Sequence, residues 1–273
     1  MTATETAENA GSGVQGAPLF QLEGVGFEIS GRTILDDLDL MLEPGRVHGL
    51  IGPNGSGKST LVKLLARQAH PRSGHIGFSG RPIDAYRERE FARQLAYLPQ
   101  TPPPTDGMTS RELVALGRYP HHGPLGRLGA NDEVAIEEAM VRTGTGEFAR
   151  RPVETLSGGE RQRVWLAMMI AQGARCLVLD EPTSALDVAH QAEMLELVRR
   201  LCDDHDHSVV IVLHDINTAA RTCDRLIALE GGKIVADGPP AEIVEPQMLE
   251  RIYGVRMGVF SQPGTGAPIG YVA

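Results

Sequence analysis

The chain is poor in cysteine, poor in aromatic side chains and lacks any long apolar run. Its three cysteines, Cys176, Cys202 and Cys223, stand far apart in 273 residues. Neither a disulfide pattern nor a metal-ligand spacing can be built from them, so free thiols in a reducing compartment are expected. No stretch reaches the roughly 18 apolar residues that a membrane span requires. Lys and Arg are missing before Arg32, which excludes the basic start of a secretory signal and an Arg-rich presequence. There is no heptad run, and so no coiled coil. The net charge of −9 speaks against a protein held on nucleic acid mainly by charge. A soluble cytoplasmic chain is the expectation. Residues 1–18, small and polar from Met1 to Gly16, read as a mobile N-terminal tail.

What is present is an α/β pattern. Val25, Phe27 and Ile29 alternate, as do Leu38, Leu40 and Leu42, which suits half-buried strands. The apolar stretch Val47–Ile51 runs into Gly52, and Leu61, Leu64 and Leu65 then stripe a helix. From Thr101-Pro102-Pro103-Pro104 the character changes, because prolines in series continue neither strand nor helix. Thr109 with Glu112 makes a capping box, and a second helix is expected from about Asn131 to Arg142 with Val134, Ala135, Ile136 and Ala139 as its apolar face. The pattern resumes with a helix after Ser157, a strand at Cys176–Leu179, a helix at about 188–201 and a strand at Val209–Leu213. Gly231-Gly232 between two apolar runs predicts a hairpin. The last dozen residues, rich in Gly and Pro, have little power to specify structure and read as a C-terminal tail.

Gly52-Pro53-Asn54-Gly55-Ser56-Gly57-Lys58-Ser59-Thr60 fits G-x-x-x-x-G-K-[ST] between a strand and a helix, which is the context a phosphate-binding loop needs. Glycines let backbone N–H groups close around phosphate oxygens, and the helix dipole points at the same place. Lys58 supplies a charge for the β- and γ-phosphates, and Ser59 an oxygen for Mg²⁺. Asp180-Glu181 ends the strand at 176–179, where α/β proteins bind ligands. Asp180 suits the Mg²⁺ shell and Glu181 the attacking water, the plain alternative being that Asp180 caps the next helix. His214 also ends a strand; alone it would be a structural hydrogen-bonder, and beside a phosphate it can contact the γ-phosphate and water. Gln100 offers a neutral amide to Mg²⁺ and the water.

Leu156-Ser157-Gly158-Gly159-Glu160-Arg161-Gln162 opens a helix about 20 residues before Asp180, a second anion-binding turn in one chain. With it the sequence resembles the ATP-binding subunits of ABC transporters from Phe20 to about Gly254. The motifs stand in the family's order: the loop at 52–60, Gln100, the signature at 156–162, Leu179-Asp180-Glu181-Pro182, the D-loop Ser184-Ala185-Leu186-Asp187, and His214. The resemblance implies a P-loop NTPase (RecA-like) fold with an antiparallel β lobe and an inserted α-helical subdomain. Its domain would cover 19–255, with a core lobe at 19–100 and 156–255, a helical insertion at about 101–155, and a tail at 256–273. It implies ATP and Mg²⁺ as cofactors, the latter at Ser59, Gln100 and Asp180. It implies catalysis by Glu181, His214 and Gln100. It also implies a head-to-tail dimer in which Ser157, Gly158, Gly159 and Glu160 reach the partner's nucleotide, with the D-loop residues Ser184 and Asp187 at the same junction. Many family members stack an aromatic on adenine where this chain has Ile29, with Phe27 two residues earlier on the same strand face.

The runs 91–100, Gly117-Arg118-Tyr119-Pro120 and Ile252-Tyr253-Gly254 resemble the iron(III)–siderophore, haem and cobalamin importer branch. Within it, Gly126-Arg127 after His121-His122-Gly123 and Leu213-His214-Asp215-Ile216-Asn217 resemble ferric hydroxamate uptake ATPases. That resemblance implies two integral-membrane permease subunits, whose short helix would enter a groove beside Gln100, and indirectly a siderophore-binding protein. The subunit would sit peripherally on the cytoplasmic face of the membrane, without nucleic acid. Haem, cobalamin or another metal chelate is the alternative cargo, and a soluble non-transport ATPase the remote one. Gly117–Pro120 also reads as a helix C-cap and turn. His121 and His122 read as exposed loop histidines, since no carboxylate or thiol stands at ligand spacing, and 203–207 as a solvated loop before a strand.

Overall fold

A computed structural model describes residues 17–122, 126–205, 207–264 and 266–273. The expected tail at 1–16 lies outside the described residues, as do Gly123 and Asp206. The chain begins with β1 (Phe20–Ile29), β2 (Arg32–Leu42), β3 (Val47–Ile51), α1 (Lys58–Leu65), β4 (Ser73–Phe78), β5 (Arg81–Pro82), α2 (Glu88–Ala92) and β6 (Leu95–Leu98). A helical stretch follows, with α3 (Ser110–Leu116), α4 (Tyr119–His122), α5 (Ala130–Arg142) and α6 (Gly158–Ala171). The remainder is β7 (Cys176–Leu179), α7 (Val188–His205), β8 (Ser208–Val212), α8 (Ile216–Thr222), β9 (Arg225–Glu230), β10 (Lys233–Gly238), α9 (Pro240–Ile243), α10 (Pro246–Tyr253), β11 (Met257–Ser261) and β12 (Pro268–Val272).

The central sheet has the order β10-β9-β3-β8-β7-β6. Its β9, β3, β8, β7 and β6 run parallel and β10 is antiparallel. Its middle strands are apolar throughout because both faces are covered. In β7, Leu177 and Leu179 enter one core while Cys176 and Val178 enter the other; Val209 and Ile211 oppose Val210 and Val212 in β8 in the same way. The first core lies under α5, α6 and α7; the second holds α1 and the antiparallel sheet β2-β1-β4-β5. Parallel strands put their carboxyl ends on one edge. The loop after β3, Gln100 after β6, Asp180 after β7 and His214 after β8 therefore emerge side by side.

The helical stretch hangs on α6, against which both α3 and α5 pack. The Thr109–Glu112 capping box forms as expected, with the Thr109 hydroxyl accepting from Glu112 N. The α5 face is shifted by a position: Ile136, Ala139 and Met140 are buried, while Val134 is exposed. Gly117 is the C-cap of α3 as expected, though not a left-handed one. It is right-handed helical, and a Cβ there would lie 2.2 Å from Met168 O, so glycine is what lets α3 approach α6. His121 and His122 form part of α4 rather than an exposed loop, and the His121 ring meets Gln172 O at 2.9 Å. Helix α7 likewise runs on to His205, where Arg199 pairs with Asp203, so much of the expected loop at 203–207 is helical.

The C-terminal reading is overturned. Residues 257–261 and 268–272 pair as an antiparallel hairpin, β11 with β12, packed on α8 and α10. Its register is fixed by long-range contacts rather than by its own apolar alternation. All three cysteines are buried and form no disulfide. Among the described residues, no helix is long and apolar enough to cross a membrane.

Candidate active site

The loop after β3 takes a shape that only glycine tolerates at two places. Gly52 has φ 130°, and a Cβ on it would lie 2.1 Å from Leu229 O; Gly57 has φ 105° and faces Leu35 Cδ2 at 2.5 Å. Gly232 N donates to Ser56 O (3.2 Å) and Asp36 N to Gly232 O (2.9 Å), so the β9–β10 turn bolts the loop to β2. The loop opens into α1, whose N-cap Gly57 provides no side-chain cap. Its first N–H groups are thus left for a ligand. The Ser56 hydroxyl is buried without a partner among the described residues. Lys58, 4% exposed, folds back to donate to Gly52 O and Pro53 O, each at 2.8 Å. Burial pulls its ammonium below the usual range, against the pull of Glu181 and Asp180.

Across from α1, the Ser59 hydroxyl donates to Asp180 Oδ1 at 3.0 Å. Burial pushes the Asp180 carboxyl up, and the Ser59 bond opposes that. Two hard oxygens side by side in a partly buried place fit Mg²⁺, which keeps most of its waters and takes few protein ligands. The next residue, Glu181, is left-handed at φ 52°. That costs energy for a residue with a Cβ, and Ser184 holds it through N and Oγ bonds to Glu181 O (3.3 and 3.1 Å). The turn aims the Glu181 carboxylate along the strand edge. There its Oε2 meets His214 Nε2 at 2.6 Å and Gln100 Nε2 at 2.5 Å. Three residues expected to be catalytic converge on one oxygen.

Two hollows share Glu181. One, of 310 Å³, is lined by Ile29, Arg32, Ile34, Lys58, Ser59 and Thr60, together with loop glycines. Ile29 is 53% exposed at its rim. Phe27 does not share that face: β1 shifts register on either side of it, and its ring packs into the second core. Strict alternation missed this because bulges reset which side a residue faces. Arg32 and Ile34 were also missed, since β2 reaches the hollow only through the sheet. The other hollow, 430 Å³, lies between Gln100, Pro102–Pro104, Gly158, Trp165 and Leu186.

The signature turn is not in the nucleotide hollow of its own chain. Ser157 caps α6, its hydroxyl accepting from Glu160 N at 3.3 Å, while Glu160 Oε2 accepts from Ser157 N at 2.8 Å. That second bond holds the Glu160 carboxyl below the usual carboxylate range. Gly159 lies under the His190 ring, where a Cβ would be 2.4 Å from Cδ2. The same ring reaches Asp187 Oδ1 through Nδ1 at 2.8 Å. Signature and D-loop are thus joined through a histidine that the motif reading did not single out.

A sequence model described as "ABC transporter" matches residues 35–184, more than half of the chain. The chain belongs to the ABC transporter family. The iron(3+)-hydroxamate import ATP-binding protein FhuC of Bacillus subtilis is 40% identical over 247 residues, 90% of this chain and 92% of that one. The ferric enterobactin transport ATP-binding protein FepC of Escherichia coli is 43% identical, covering 87% and 88%. Halobacterium salinarum has a cobalamin import ATP-binding protein, BtuD, at 39% identity, of which only 61% is matched. Among solved structures, a metal-chelate type ABC transporter in an inward-facing conformation superposes with a TM-score of 0.81 at 24% identity, covering 94% and 97%. A dimeric ATP-binding cassette bound to ADP and phosphate reaches 0.69 at 24% identity, covering 81% and 98%. At that identity these two likenesses speak for the fold.

Proposed function

We propose that this chain is the ATP-hydrolysing subunit of an importer for iron(III)–siderophore chelates. The observation that carries the hydrolytic reading is the carboxylate of Glu181, gripped by His214 and Gln100 one residue after Asp180 meets Ser59. Lys58 exchanges its loop carbonyls for phosphate oxygens, a stronger charge-assisted bond. Ser59, Asp180 and Gln100 would hold Mg²⁺, which when bound would supply neutralising charge to the phosphates. Glu181 orients the attacking water and draws on its proton, and His214 and Gln100 keep the carboxylate turned to that task. Ile29 gives the adenine an apolar seat without ring stacking.

A second copy of the chain completes each site, head to tail, with Ser157, Gly158, Gly159 and Glu160 facing the partner's nucleotide and Ser184 and Asp187 at the junction. The hollow between Gln100, the proline turn and Trp165 would take a short helix of one permease subunit, with a second permease on the second copy, and such docking would seat the pair on the cytoplasmic face of the membrane. A siderophore-binding protein delivers the cargo on the far side. The full-length relatives named for iron chelates support a siderophore over cobalamin, and ferric hydroxamate is the chelate we favour within that class.

Glu181→Gln tests the chemistry. ATP binding is expected to persist, while turnover falls on the order of 100-fold or more and a nucleotide-bound dimer accumulates on size exclusion. Turnover at the wild-type rate would remove Glu181 from its role. Cargo is decided by which labelled chelate (hydroxamate, catecholate, haem or cobalamin) accumulates only in cells with Lys58 intact.

A further inference from the structure

Two sequence runs serve no purpose in the chemistry above: Asp215-Ile216-Asn217 behind the catalytic histidine, and Ile252-Tyr253-Gly254 near the C-terminus. The fold brings them together. Asp215 caps α8, its Oδ1 accepting from Thr218 N at 2.6 Å. One position into the helix from Ile216, the Asn217 amide behaves as a strand edge. Its Nδ2 donates to Gly270 O at 3.0 Å, and its Oδ1 accepts from Gly270 N at 2.8 Å. Both backbone groups of one hairpin residue are thereby satisfied by a single side chain 53 positions away. The position is tight: a Cβ on Gly270 would lie 2.9 Å from Leu249 Cδ1, so any larger residue pushes that side chain aside. Tyr253, in α10, packs against the same core, and its buried hydroxyl has no partner among the described residues. Burial, with the nearby Asp215 carboxylate adding to it, pushes that hydroxyl up to about 12.

We infer that the C-terminal hairpin is a brace for the catalytic histidine, with Asn217 as the positioning residue that ties β12 to the first turn of α8. His214 stands between the end of β8 and the cap Asp215, so the seat of α8 sets where its ring meets Glu181. Among the described residues, none of the hairpin lines the nucleotide hollow. The hairpin acts by holding α8 against sliding or turning, and a histidine displaced by about 1 Å stretches its 2.6 Å contact with Glu181 past hydrogen-bond length. This inference rests on the catalytic reading of His214.

The test uses the full-length chain with Asn217→Ala, Gly270→Val, and the two combined. The His214 ring signals in an NMR spectrum, assigned with His214→Ala, report its placement whether or not ATP turns over. Each single variant is expected to shift those signals and lower kcat on the order of tenfold, with the Kd for ATP within about twofold. The combined variant should fall no further than the worse single one, as two parts of one device do. Unmoved His214 signals, or losses that multiply, would overturn the brace. So would nucleotide affinity falling together with kcat, since that marks general loosening. A wild-type chain that binds no ATP sinks the nucleotide reading instead, and the ring signals then decide the brace alone.

Discussion

Two helix starts in this chain look alike as sequence and differ as structure. Glycines mark both: α1 follows a glycine-rich loop, and α6 begins with Gly158 and Gly159. At α1 the N-cap is Gly57, without a side chain to cap the helix, inside a loop where Ser56 and Lys58 are buried. At α6 the N-cap is Ser157, exposed, and Glu160 closes a capping box with it. The first end leaves its N–H donors for an anion. The second has already spent part of its hydrogen-bonding capacity on its own side chains. An isolated chain should therefore bind nucleotide at α1, and α6 should engage phosphate only when a second copy presents one in good geometry.

The largest effect that separates the two ends is on binding. Lys58→Ala removes the one buried cation of the loop, and a hydrogen bond to a charged group is worth about 1.5–3 kcal/mol. ATP affinity is expected to fall roughly 10- to 100-fold, read by calorimetry on the isolated chain. A change under twofold would break the claim that α1 is complete within one chain.

Ser157→Arg addresses the other end. It puts a long cation where the small cap stood, so turnover by the dimer is expected to drop on the order of tenfold or more while the isolated chain binds ATP as before. In mixed dimers with wild-type chains, one site should fail and the other survive. Both sites running at full rate would refute engagement across the dimer.

The comparison also explains what could be read from sequence. The loop at 52–60, the Asp180-Glu181 strand end and the Thr109 box are local: neighbours in sequence make them, so spacing alone carries them. The C-terminal hairpin is the opposite. Gly270 is held by Asn217 and packed against Leu249, and no local pattern at 268–272 announces partners 21 and 53 residues away. Phe27 escaped for a related reason, because the bulges of β1 come from pairing with β2 and β4. Gly117 was read as a helix C-cap, which it is, while the Met168 carbonyl of another helix, which adds a constraint on it, could not be read from its neighbours in sequence.

The smallest contrast is in pH. His48, in the strand that feeds the α1 loop, is buried with Nε2 at 2.8 Å from Glu43 O, and burial lowers its pKa from about 6.5. His207, at the entrance to β8, is lowered for the same reason. An unfolded chain takes up protons that these folded rings refuse. Stability therefore falls as pH drops below about 6.5, by at most about 1.4 kcal/mol per pH unit for each ring, and levels off beneath the folded values. At α6 the sign is the same and the window lower. Glu160 is depressed by the Ser157 N–H, so its contribution holds above the ordinary carboxylate range and is lost only as pH falls through that depressed value. Between pH 7.5 and 5.5 the midpoint of thermal unfolding should decline, and His48→Gln with His207→Gln should flatten the decline. Glu160→Gln should leave its slope unchanged over that interval, because neither form of that box titrates there. A wild-type midpoint flat from pH 7.5 to 5.5 would mean that the buried rings are not where the two ends of the chain part company.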